Sequence, residues 1–160
     1  MRYPGQKIIL WLASMHAARH TELIVDGRGP EFQGALAAYK TMGAWLGEAL
    51  GASYYALAAT AYAGRIGNPP GWAPSDVPPA EAGSIEAVFA PTEGAYRFVA
   101  LGKDAPGARK ARFLGLTDLV APWARVFDGA LVFREVTPAT PEREAAAQAA
   151  ASATAPGQKP

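Results

Sequence analysis

The eight residues Tyr54-Tyr55-Ala56-Leu57-Ala58-Ala59-Thr60-Ala61 carry no charge, and such a run predicts a strand covered on both faces. An earlier run, Lys7-Ile8-Ile9-Leu10-Trp11-Leu12-Ala13, predicts another strand of this kind. Between the two, residues 32–50 place apolar side chains at mixed three- and four-residue spacing, which predicts one helix. Strand, helix and strand together predict a βαβ unit with a right-handed crossover, and hence an α/β fold.

The rest of the chain continues this alternation. Ser84 is a suitable N-cap for a short helix over residues 85–90. Residues 67–79 contain five prolines and predict a long irregular loop with Trp72 in its middle. Strands are predicted at 96–101, 113–116 and 130–136, a charged loop at 103–112 and a short helix within 119–126.

Composition excludes several classes of protein. Half of the residues are hydrophobic, but 36 of these are alanine, so the core is expected to be thin. The net charge of +1 argues against a nucleic-acid partner. There is no cysteine, which excludes disulfides and thiolate chemistry. Residues 7–18 are too short to span a membrane and lack the basic leader of a signal peptide, so we expect a protein without a membrane partner that is cytoplasmic unless a longer gene product carries an export signal.

Two histidines are the first candidates for chemistry. His16 and His20 are four residues apart, a spacing that metal sites use on a helix, but no glutamate follows His16 as in zinc proteases. The alternative is two loop histidines at the end of a strand. Because His16 follows the carboxyl end of the predicted strand at 7–13, where α/β sheets bind ligands, it is also a candidate general base.

Three further residues are candidates for a site, each with a structural alternative. Tyr62 and Arg65 follow the end of the strand predicted at residues 54–61, and we expect them to line the same cleft as His16. The alternative is that Tyr62 packs in the core and Arg65 is solvated. Glu86 follows Ser84 at a helix start, where a capping role explains it. The sequence has no Gly-x-Ser-x-Gly elbow, so a serine esterase of the α/β-hydrolase type is not expected.

Several motifs resemble those of the erythromycin esterase family. The stretch Tyr3-Pro4-Gly5-Gln6-Lys7-Ile8-Ile9-Leu10-Trp11 and then His16-Ala17-Ala18-Arg19 is similar to a family strand, YPGxKIIVW, that runs into W-A-H-N-x-H-x-A-R. The similarity continues in the same order at residues 42–46, 50–51, 54–64, 77–79, 83–87, 126–133 and 136–138. The resemblance covers residues 3–141, and the segment 142–160, with eight alanines among residues 145–155, is interpreted as a tail.

The resemblance implies an α/β fold: part of a three-layer sheet with flanking helices and a small α+β part around the proline-rich loop. It implies hydrolysis of an ester or lactone, with macrolides as the family's substrate class and no cofactor or metal. His16 would activate water, and the expected substrate-binding residues are Arg19, Tyr62, Arg65, Trp72 and Glu86.

The chain also departs from the family pattern. Ala13 and Ser14 stand where the family has histidine and asparagine, and Ala63 stands where it has a glutamate. The family's N-terminal half has no counterpart, so we expect residues 1–141 to be the C-terminal portion of such a domain, with an exposed edge or apolar face at the 7–13 strand. Whether this chain is an enzyme by itself therefore stays open, as does its oligomeric state.

Two alternatives to an active hydrolase remain. The first is a non-catalytic binding module or remnant of such an enzyme. The second is a ligand-binding protein of related fold in which His16 and His20 bind haem.

Overall fold

The structure is a computed structural model that describes residues 6–25, 30–67 and 74–138. Trp72 and the tail at 142–160 lie outside these residues. The strands are β1 (Leu57–Ile66), β2 (Ser75–Val77), β3 (Tyr96–Ala100), β4 (Arg109–Leu114), β5 (Thr117–Ala121) and β6 (Gly129–Val136). The α-helices are α1 (Ser14–Ala17), α2 (Pro30–Ala38), α3 (Met42–Leu50), α4 (Ile85–Phe89), α5 (Leu101–Asp104) and α6 (Trp123–Val126), and the 3₁₀ turns are Thr21–Leu23 and Gly51–Ser53.

Four strands form a mixed sheet in the order β2-β1-β6-β3, and β4 and β5 form a separate antiparallel pair. β1 and β6 are parallel, whereas β2 and β3 run antiparallel to their neighbours. Gly64 allows the parallel pair to stay close, because its φ is 130° and a Cβ atom there would lie 2.2 Å from the Val136 carbonyl oxygen. The mixed sheet with its helices confirms the predicted α/β fold.

The core lies between one face of the sheet and the β4–β5 pair. Its centre is a cluster of three buried rings, with Phe113 edge-on to Trp123 and to Phe127. The Trp123 indole N–H donates to the Arg109 carbonyl at 2.8 Å. Seven of the other fifteen residues of this buried cluster are alanines, among them Ala58, Ala111 and Ala130, so alanine forms part of this core.

The predicted strand at residues 7–13 is wrong. These residues form neither strand nor helix, and the side chains of Ile9 and Trp11 are 91% and 96% exposed. A strand needs a neighbour to pair its backbone groups, and no strand among the described residues pairs with this segment. The predicted βαβ unit is therefore not formed, since the parallel neighbour of β1 is β6. The exposed apolar surface expected for this segment is present.

The predicted helix at 32–50 is two helices, because Thr41 starts a new one. Its hydroxyl accepts a hydrogen bond from the Ala44 N–H at 3.0 Å as the N-cap of α3. The strand predicted around residues 53–62 begins later, since Gly51–Ser53 is a 3₁₀ turn and β1 starts at Leu57.

Predictions for the second half of the chain are mixed. The Ser84 cap is confirmed, because its hydroxyl accepts from the Ala87 N–H at 3.2 Å, and strands β3 and β6 lie where predicted. The loop predicted at 103–112 is wrong, since it holds the end of α5 and the start of β4. The strand predicted at 113–116 ends at Leu114 because Gly115 and Leu116 have positive φ, and the helix predicted within 119–126 starts only at Trp123, after β5.

Candidate functional site

His16 lies on α1, a single helical turn. Its imidazole is exposed and has no hydrogen-bond or ion-pair partner among the described residues. Since residues 7–13 are not a strand, the argument that placed His16 at the end of a core strand no longer applies. What the structure offers is an unpaired imidazole on a short helix.

Side chains from elsewhere in the chain hold α1 in place. The last turn of a helix leaves carbonyl groups without helical partners. Here the Tyr54 hydroxyl donates to the Ala17 carbonyl at 2.8 Å, and the Thr41 hydroxyl donates to the Ala18 carbonyl. Gly43 lets α3 come into direct contact, because a Cβ atom at this position would lie only 2.1 Å from the Ala17 oxygen. The helix that carries His16 is therefore held at its C-terminal end by α3 and by Tyr54, which lies shortly before β1.

Arg19 follows α1 and belongs to a partly buried ion pair. Its guanidinium lies 2.9 Å from Asp128, whose other carboxylate oxygen accepts the Ala56 N–H at 2.7 Å. The Tyr54 ring lies 5.8 Å from the guanidinium carbon, and burial raises the pKa of Tyr54 although the Arg19 charge opposes this. The Arg19 Nε atom is buried without a hydrogen-bond partner in the described part of the chain. Arg19 thus connects the segment that follows α1 to the loop before β6.

A polar cleft of about 720 Å³ opens beside this ion pair. Besides Arg19 and Asp128 its ionisable lining residues are His20, Glu22, Lys40, Glu48 and Arg125. Most of these side chains are paired: His20 lies 3.0 Å from Glu22, and Lys40 lies 2.7 Å from Glu48. Arg125 is exposed and has no ion-pair partner among the described residues.

A second hollow, of about 470 Å³, lies at the start of α1. Its lining is mainly apolar and comes from Met15, Leu36, Ala59 and residues 112–117 and 119 of the β4–β5 pair, with Ala13 and Ser14 at the start of α1. His16 lines neither of the two cavities.

Glu86 is fully buried at the start of α4. One carboxylate oxygen accepts from the Thr60 hydroxyl at 2.8 Å and from the Arg112 N–H at 2.7 Å, and the other has no hydrogen-bond partner in the described chain. Burial raises the pKa of Glu86, and the hydrogen bonds and the Arg112 charge oppose this rise. Arg112 in turn pairs with Asp118 at 2.8 Å. Glu86 thus ties α4 to β1 and β4 inside the core.

Tyr62 and Arg65 lie in the second half of β1, away from both cavities. The Tyr62 carbonyl accepts the Ala80 N–H at 2.8 Å, and its side chain is half-buried. Arg65 is exposed and pairs with Asp76 on β2 at 3.0 Å. The structure therefore does not bring His16, Arg19, Tyr62, Arg65 and Glu86 into one cleft, and Trp72 lies outside the described residues.

Sequence reasoning did not identify Tyr54, Thr41 and Asp128 as the residues that hold α1 and Arg19. Only Thr41 carries a local signal, as an N-cap residue before a predicted helical run. No group of three or more His, Asp or Glu residues in the described ranges is arranged to hold a metal ion. Within the same ranges, no helix has the length and apolarity needed to cross a membrane.

Comparison with known proteins adds the family. A sequence model of the family described as erythromycin esterase matches residues 1–136, most of the chain. The chain belongs to the erythromycin esterase family. Neither the curated proteins nor the solved structures contain a match. The family match spans α1, the polar cleft, the apolar hollow and the whole mixed sheet, so every candidate site described above lies within the erythromycin esterase region.

Proposed function

We propose that this chain takes part in the hydrolysis of an ester or lactone, with His16 as the general base. Membership of the erythromycin esterase family carries the proposal, and the unpaired imidazole of His16 supports it. A base must be free to accept a proton, and no described residue forms a hydrogen bond or an ion pair with this imidazole. The proposed substrate class is a macrolide lactone, which the family name suggests.

The proposed reaction needs only water as co-reactant. The His16 imidazole takes a proton from water while the oxygen attacks the carbonyl carbon, which forms a tetrahedral oxyanion. When the ester C–O bond breaks, the proton passes from the imidazolium to the departing alkoxide. The products are a carboxylic acid and an alcohol, which in a lactone stay in one opened ring.

Of the expected substrate contacts, the proposal keeps Arg19, because Tyr62 and Arg65 lie away from both cavities. Arg19 is the cation nearest to His16 along the chain, and its guanidinium is partly accessible from the polar cleft. Glu86 is buried and accepts a hydrogen bond from the Thr60 hydroxyl, so we assign it a structural role in which it holds β1 and β4 together. Because Ala13 and Ala63 stand where the family pattern has a histidine and a glutamate, we expect slow turnover by this chain alone.

The test is incubation of the purified chain with erythromycin, followed by mass spectrometry for the addition of one water. We expect His16→Ala to reduce hydrolysis by about 10²- to 10⁴-fold, the usual contribution of a general base. His20→Ala is the matched control, because His20 is also exposed but is paired with Glu22. Equal rates in His16→Ala and the wild type would remove His16 from the mechanism.

One observation favours a second candidate, a non-catalytic binding module. Arg19 and Arg65 are engaged in ion pairs and Glu86 lies in the core, so few of the candidate side chains are free to act on a substrate. This alternative predicts binding of the macrolide by calorimetry with no hydrolysis in the wild type. Detectable hydrolysis that depends on His16 would exclude it.

A further inference from the structure

The mixed sheet has two faces, and the core covers one of them. Successive side chains of a strand point to opposite faces, and residues paired across neighbouring strands share a face. The covered face holds four side chains that are buried in the core: Ala58, Val99, Ala130 and Val132. By the same register the other face, here called the open face, holds Leu57, Ala59, Tyr96, Phe98, Leu131 and Phe133.

Two rows of paired residues cross the open face. In the first, Ala59 of β1 lies beside Leu131 of β6, which lies beside Phe98 of β3. In the second, Phe133 of β6 lies beside Tyr96 of β3, and their ring centroids are 5.7 Å apart. The first row increases in size from alanine to phenylalanine, so the open face is lower at Ala59 than at Phe98.

Tyr55 joins the open face from the chain before β1. A Cβ atom at Gly129 would lie 2.9 Å from the Tyr55 hydroxyl oxygen and 2.8 Å from the Phe98 ring. Gly129 pairs with Leu57, so such a Cβ atom would point to the open face. The side chains of Tyr55 and Phe98 therefore lie over Gly129 and form one continuous surface with Leu57.

The open face is apolar and exposed. Tyr55, Leu57, Tyr96 and Phe98 are each between 41% and 60% exposed, and none of the side chains on the face is charged. Together with the smaller contributions of the other members, the face presents roughly 500 Å² of apolar surface, a large patch for a monomer. An apolar sheet face of this kind is normally buried against another layer.

We propose that the open face is the interface of a homodimer in which two copies of this chain pack their sheets face to face. A second copy meets no like charge there, because the face is uncharged. Two such faces remove about 1,000 Å² of surface from water, the lower limit for a stable interface, before the surrounding rim is counted. The proposal does not depend on the hydrolase assignment.

The shape of the open face selects the orientation of the two copies. Packed sheets keep their strands nearly aligned, and a twofold axis that runs between the sheets along the strands satisfies this. Such an axis places Phe98 of each copy over Ala59 of the other. The large side chain then meets the low part of the facing sheet in both halves of the interface.

The first test measures mass against concentration by light scattering on the full chain. We expect a dimer in the wild type, and a dimer at least tenfold weaker in Phe98→Lys (about 1.4 kcal/mol). Val88→Lys is the matched control, because Val88 on α4 and Phe98 are both 50% exposed but Val88 lies outside the open face. A monomer at all concentrations, or equally strong dimers in Phe98→Lys and the control, would overturn the proposal.

Trp11→Lys distinguishes the open face from the apolar segment before α1. Trp11 is also a large exposed apolar side chain, and it lies outside the open face. We therefore expect its replacement to leave the dimer unchanged. A dimer that is lost in Trp11→Lys and kept in Phe98→Lys would place the contact at that segment and refute the interface proposed.

The second test uses the absence of cysteine in the chain. Ala59→Cys and Phe98→Cys are made in separate chains of different tag length, mixed and treated with a short bismaleimide, since packed sheets lie about 10 Å apart. The expected product joins the two different chains, in higher yield than with Val88→Cys in place of Phe98→Cys. No cross-linked dimer, or equal yields in the two mixtures, would contradict the face-to-face contact.

Discussion

Replacing Gly43 by alanine should destabilise the protein through a backbone clash. A Cβ atom at this position would lie 2.1 Å from the Ala17 oxygen, 2.4 Å from the Ala17 carbonyl carbon and 2.6 Å from the Ala18 oxygen. All three are backbone atoms, so no rotamer change relieves the overlap, and α1 or α3 must move. Such overpacking costs about 1–3 kcal/mol, which outweighs the roughly 0.5–1 kcal/mol that Gly→Ala gains in a helix.

Urea unfolding followed by tryptophan fluorescence measures this cost, and Gly34→Ala is the matched control. Gly34 also lies in a helix, α2, but a Cβ atom there meets nothing within 4 Å, so alanine should stabilise by about 0.5–1 kcal/mol. For a chain of this size, each kcal/mol moves the melting temperature by about 2–4 °C. If Gly43→Ala were as stable as the wild type while Gly34→Ala behaved as expected, the close contact between α1 and α3 would be refuted.

Three further substitutions test buried polar groups. The pKa of Glu86 is raised in the folded protein, so the free energy of unfolding of the wild type should fall as the pH rises from about 4.5 through the raised pKa. In urea titrations at several pH values, Glu86→Gln should remove this fall. Thr41→Val, which lacks the α3 cap, should lose about 1–2 kcal/mol in thermal unfolding, and an unchanged melting temperature would contradict the cap. Asp128→Asn should cost about 1–3 kcal/mol by weakening the Arg19 pair, whereas Asp76→Asn, whose ion pair is exposed, should cost under about 0.5 kcal/mol; equal losses would argue against a structural role for Asp128.

The contrast between residues 54–61 and residues 7–13 shows what a run of apolar side chains can predict. Both runs predict a buried strand, and only the first contributes to one, in β1. Side-chain polarity reports whether a segment favours burial, but a strand also requires neighbours for its backbone groups, and β1 has them in β6 and β2. The closing strand β6 was predictable for the same reason that β1 was. Its parallel register with β1 was not, because some sixty residues separate the two strands.

Capping residues were the most predictive local signal, and the division of the 32–50 helix shows how one was missed. Ser84 was recognised as a cap because a short apolar run follows it. Thr41 makes the same kind of cap, but its position inside a longer apolar stripe concealed it. Periodicity alone therefore predicted one helix where there are two, and Thr41 is the residue at which the second helix begins.

The site was predictable only as far as its residues interact locally. His16 could be named from the sequence, but its setting depends on Tyr54 and Gly43, which lie far along the chain. Arg19 shows the consequence most clearly. The family motif places this cation three residues after His16, where it would suit a substrate oxyanion, yet its partner Asp128 is 109 residues away. A substrate that used Arg19 would have to compete with a carboxylate that also accepts a hydrogen bond from the chain before β1, so we expect the binding of such a substrate to lower the stability of the segment after α1.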